Sequence, residues 1–152
     1  MAFLLKELHV AHKYLYHLNV IVCMKIEKIK KMKTTKLGKT SLDIPALALG
    51  VMRMGTRTPE EGAAAINVAY EAGVNFIDSA DIYGRGNSEK VFGKALKLSD
   101  VKREDLFIQS KTGIVVGPNG SHGSLVYGSR YEFTKEHILN AVDGILKRMD
   151  ID

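Results

Sequence analysis

Residues 58–84 read TPEEGAAAINVAYEAGVNFIDSADIYG, and the order of signals in this stretch decides the fold. Thr58 is a helix N-cap, Pro59 suits the first helical position, and Glu61 stands three residues after the cap. Ile66, Ala69 and Tyr70 continue that helix, and Gly73 ends it as a left-handed C′ residue. Val74–Ser79 then makes an apolar run of strand length, which predicts a buried strand.

The same alternation continues on both sides. Upstream, Ala46–Val51 (ALALGV) is a first buried strand, and TTKLG and SLDIP flank Gly38-Lys39 as a small hairpin. Downstream, a helix from about Ser88 places Val91, Phe92, Ala95 and Leu96 on one face. Leu106–Lys111 (LFIQSK) reads as a third strand. Gly113–Phe133 reads as a long loop with glycines at 113, 117, 120, 123 and 128. Thr134 caps a last helix in which Ile138, Ala141, Val142, Ile145 and Met149 keep the helical period.

Alternating strands and helices predict a parallel α/β sheet with right-handed crossovers. Strand starts near 46, 74 and 106 suit either a doubly wound sheet or an eight-fold βα barrel. A barrel needs about 250 residues. The 107 residues from Ala46 onward supply between three and four of its units.

Composition narrows the class further. The chain has 152 residues, 45% of them apolar and 26% charged, which excludes a disordered or collagen-like protein. Cys23 is the single cysteine, so no internal disulfide framework or multi-cysteine zinc site exists. The net charge of +5 is concentrated: residues 1–31 carry six lysines and two glutamates, and the rest is nearly neutral. The segment 1–31 is therefore expected to be a basic, poorly ordered extension, with Met24 or Met32 as alternative starts. Its longest uncharged run, Tyr14–Met24, is too short for a span that needs about 20 apolar residues. No small-residue cleavage site follows it. The expected location is the cytoplasm, with no nucleic-acid or membrane partner.

In parallel α/β folds, reactive groups gather at the C-terminal ends of strands. Asp78 ends the second parallel strand and Lys111 the third, while Tyr83 lies five residues beyond Asp78. A lysine cation beside a phenol favours the phenolate, and an acid can hold that lysine in place. Two readings fit this spacing: proton-transfer chemistry, or a structural Asp–Lys pair with Tyr83 packed against it. Gly84-Arg85-Gly86-Asn87-Ser88-Glu89 lacks the third glycine of a dinucleotide fingerprint, so its glycines serve a turn, with Asn87 or Ser88 as helix cap. His9, His12, His17, His122 and His137 have no carboxylate cluster beside them; the last two are read as surface residues, and no metal site is expected.

Three segments carry a resemblance: KLGKTSLDIPALALGVMRMG, then AAINVAYEAGVNFIDSADIYGRGNSEKVFGKAL, then REDLFIQSKTGI. Together with YEFTKEHILNAVDGILKRMDID they resemble the N-terminal part of an aldo-keto reductase, over roughly residues 34–152. The resemblance implies a partial (β/α)8 TIM barrel: its first three βα units over 32–152, with an N-terminal hairpin and the basic extension. It implies hydride transfer from NADP(H) or NAD(H) to a small aldehyde or ketone. The family pattern D-x-A-x-x-Y-G matches Asp78, Ala80, Tyr83 and Gly84 in register. On that match Tyr83 donates the proton, Lys111 tunes it and Asp78 holds Lys111. Gly50, Val51 and Met52, with Asp78, match the segment beside the nicotinamide. The family's catalytic histidine follows a fourth strand that this sequence does not contain. The alternative is a non-catalytic barrel fragment completed by a complementary C-terminal chain.

Overall fold

The computed structural model describes residues 32–117 and 129–152. The basic extension and the middle of the glycine-rich loop, including His122, lie outside these residues. Two short antiparallel strands, β1 (Thr34–Lys36) and β2 (Asp43–Pro45), form the expected hairpin. After it come β3 (Leu49–Gly50), α1 (Pro59–Glu71), β4 (Phe76–Asp78), α2 (Asn87–Leu98) and β5 (Phe107–Gln109). Strands β3, β4 and β5 pair in parallel in that order, so the described residues form an α/β unit without a closed barrel.

The parallel strands are shorter than the apolar runs that predict them. Ala46 donates its N–H to Lys33 and so belongs to the hairpin instead of β3. Past the other end, ladder-like bonds persist: Ser79 N–H donates to the Gln109 carbonyl and Asp81 N–H to the Lys111 carbonyl. These bonds hold the loop segments beyond β4 and β5 side by side.

Helix α1 starts as its sequence dictates. Thr58 Oγ1 accepts from Glu61 N–H at 3.2 Å, and Glu61 Oε2 accepts from Thr58 N–H at 3.0 Å. Gly73 ends it at φ +84°, a conformation costly for any residue with a Cβ. Ile66 turns inward from α1, and Phe92, Ala95 and Leu96 from α2, into one core with Ile77 of the sheet. Burying a side chain such as Phe92 contributes about 2 kcal/mol.

Two expectations need correction. The loop after β5 contains a second hairpin, β6 (Ile114–Val115) with β7 (Arg130–Tyr131), antiparallel. The β-branched pair Ile114-Val115 finds a partner strand 15 residues on, a pairing no local glycine pattern announces. Helix α3 (Lys135–Met149) has its Thr134 cap, but only Ile145 and Met149 reach the core. Ile138, Leu139 and Val142 are 38%, 53% and 43% exposed. The last turns of α3 lie on α2, where Gly93 lets the Met149 carbonyl occupy the space a Cβ would fill.

Candidate active site

The register of the sheet builds the site. Gly50 of β3, Asp78 of β4 and Gln109 of β5 stand in one row at the C-terminal ends of the strands. Side chains alternate along a strand, so Asp78 and Gln109 point away from Ile77, which faces the helices. Lys111, two residues beyond Gln109, returns to the same side.

Lys111 Nζ donates to Asp78 Oδ1 at 2.7 Å and to the Ser79 carbonyl at 2.6 Å. It also lies 5.1 Å from the centroid of the Tyr83 ring. The three residues singled out in the sequence therefore do meet. Burial pulls the Lys111 amine down, but hydrogen bonds and charge from Asp78 and Tyr83 outweigh it and hold the amine above its ordinary range. Lys111 is 44% exposed and Asp78 34%, so the pair sits at an open mouth where solvent screens it.

Tyr83 enters from the turn Tyr83–Gly86. Gly84, Arg85 and Gly86 all adopt left-handed backbone, at φ 57°, 54° and 83°. For Arg85, which has a Cβ, this costs about 1 kcal/mol. Its guanidinium reaches across to donate to the Gly117 carbonyl at 2.5 Å. The expected side-chain cap of α2 is absent, because Gly86 takes that position. Asn87 and Ser88 instead satisfy the loop after β3: Asn87 donates to the Gly55 carbonyl, and Ser88 donates to the Met52 carbonyl and accepts from Gly55 N–H.

The segment after β3 divides. Val51 is fully buried and its N–H donates to the Asp78 carbonyl, so its side chain belongs to the core. Gly50 borders the mouth, in register with Asp78, and Met52 is exposed. A Cβ on Gly50 would meet nothing within 4 Å, which leaves an open ledge beside Asp78. His137 is half-buried on α3, not a surface residue as expected. Among the described residues no three metal-ligating side chains cluster, and no helix is long and apolar enough to cross a membrane.

One site residue was missed in the sequence. Gln109 Nε2 donates to Asp78 Oδ1 at 2.9 Å, alongside Lys111. The alternation along LFIQSK, with 109 and 111 on one face, was the available signal.

A parallel sheet with Asp, Tyr and Lys joined at the strand mouth narrows the class, and comparison completes it. The chain belongs to the Aldo/keto reductase family, which residues 46–152 match. It is 32% identical over 121 residues to the uncharacterized oxidoreductase YqkF of Bacillus subtilis, covering 80% of this chain and 36% of that protein. It is 31% identical over 134 residues to versiconal hemiacetal acetate reductase of Aspergillus parasiticus, covering 78% of this chain and 39% of that one. Among solved structures it is similar to the holo form of aldo-keto reductase AKR11C1 from Bacillus halodurans. That match has TM-score 0.65 and 30% identity, over 80% of this chain and 37% of the other. The chain thus spans well under half the length of the relatives it matches.

Proposed function

We propose that this chain carries the proton-donating half of an NAD(P)H-dependent carbonyl reductase, in the N-terminal part of a (β/α)8 barrel formed by residues 32–152. The observation that carries this reading is Lys111, bound to Asp78 and set against the Tyr83 ring. A nicotinamide cofactor, when bound, supplies the hydride for the carbonyl carbon of an aldehyde or ketone. The Tyr83 hydroxyl then gives its proton to the carbonyl oxygen, and an alcohol results. Lys111, cationic at neutral pH, stabilises the phenolate left behind, and Asp78 keeps Lys111 in reach. The open ledge at Gly50 and the exposed side of Met52 suit a flat ring beside Asp78.

The test is turnover by the protein carrying this chain, given an aldehyde and NADPH, with and without Tyr83→Phe. Loss of the proton donor is expected to slow oxidation of NADPH by about 100-fold or more. Undiminished turnover in the variant overturns Tyr83 as the donor.

A second reading is favoured by the open outer edges of β3 and β5 among the described residues. Unpaired edges recruit further strands. In this reading the chain acts only when a complementary barrel segment on another polypeptide pairs with it. Co-purification of such a segment supports it, and a folded, monodisperse chain alone argues against it.

A further inference from the structure

Glu89, in the first turn of α2, is fully buried. Its two oxygens are engaged by different elements. Oε1 accepts from the Ser110 hydroxyl at 2.8 Å, and Oε2 accepts from Arg148 Nε at 2.7 Å. Ser110 is the residue immediately before Lys111. Arg148 reaches Glu89 from the last turn of α3 by crossing Gly86: a Cβ on Gly86 would stand 2.6 Å from Arg148 Cδ and 2.8 Å from its Nε. Gly86 closes the turn that begins at Tyr83.

One ion pair, its carboxylate fully buried and its arginine partly so, thus touches the residue before Lys111 and the glycine that closes the turn begun at Tyr83. Burying two charges is costly, and pinning α3 to α2 is a task apolar side chains perform as well or better. What apolar groups cannot do is accept the Ser110 hydrogen bond at a fixed position while filling the space over Gly86. We propose that Glu89 and Arg148 are positioning residues that set the distance between Lys111 and Tyr83, one acting through Ser110 and the other through Gly86. This inference rests on the reading of Tyr83 and Lys111 as the reacting pair.

The test uses the full chain with isotopically labelled lysine and tyrosine. Nuclear magnetic resonance reads the through-space contact between the Lys111 side chain and the Tyr83 ring. Lys111→Arg and Tyr83→Phe identify the two signals. Arg148→Met alone leaves a buried carboxylate unpaired and risks unfolding, so the deciding variant is Glu89→Leu with Arg148→Met, which keeps the site filled and uncharged. Ser110→Ala is the milder companion. With folding checked by circular dichroism, the double variant is expected to lose most of the Lys111–Tyr83 contact. Its Lys111 titration is expected to fall back toward the ordinary lysine range. A folded double variant that keeps the contact at full strength overturns the positioning role. Failure of the proposed chemistry reads differently: Tyr83→Phe would keep its turnover while the contact still depended on Arg148.

Discussion

Asp78 holds Lys111 through one carboxylate oxygen, Oδ1, which the lysine shares with Gln109: Nζ donates at 2.7 Å and the Gln109 amide at 2.9 Å. The amide therefore fixes the carboxylate that fixes the amine. Gln109→Leu should leave the fold intact and loosen that carboxylate. A loss of about 1 kcal/mol of orientation, or several-fold in kcat/KM, is expected in the active protein. Steady-state kinetics check it, and an unchanged kcat/KM means Lys111 needs no help from Gln109.

Lys111 also makes a pH prediction. Its amine is held above the value it has in the unfolded chain, so the folded state binds that proton more tightly. The stabilisation is fully present below the ordinary lysine value. It disappears as pH rises through the folded value. Because the side chain is 44% exposed, the effect is small, under about 1 kcal/mol. The difference in thermal midpoint between the wild type and Lys111→Met should stay constant from pH ~7 to ~10 and shrink above it. A difference that grows in alkali contradicts the sign.

Helix contacts separate cap from packing. Thr58→Ala removes the box at the start of α1 and should cost about 1 kcal/mol without altering the site. Gly93→Ala drives a methyl onto the Met149 carbonyl. Overpacking against backbone should cost about 3 kcal/mol or more. Urea titrations of both variants rank them, and equal losses would mean α2 and α3 are not in close contact.

The ledge at Gly50 tests the cofactor. Since a Cβ there meets nothing within 4 Å, Gly50→Val should change stability by less than about 0.5 kcal/mol. The same side chain would stand where the proposed ring lies, so NADPH binding should weaken by about tenfold, read by fluorescence titration. Unaltered binding removes Gly50 from the cofactor site.

Much of this was legible in one dimension. The Thr58–Glu61 box, Gly73 as the helix stop, the parallel order of strands and the meeting of Asp78, Tyr83 and Lys111 all rest on local signals or on the fixed geometry of strand ends. The short strands β6 and β7 were not legible, because two-residue strands carry no period to detect. Neither was the exposure of Ile138, Leu139 and Val142, whose spacing matches that of a buried face.

By itself, then, the order of residues determined the α/β alternation and which three side chains share the strand mouth, since backbone sterics and side-chain alternation act between near neighbours. Tertiary structure alone decided that Glu89 is buried against Ser110 and Arg148. Those partners lie 21 and 59 positions from it. A hydrogen bond over such separations depends on how α2, α3 and β5 come together, and a polar residue looks the same in sequence whether it meets water or a buried partner.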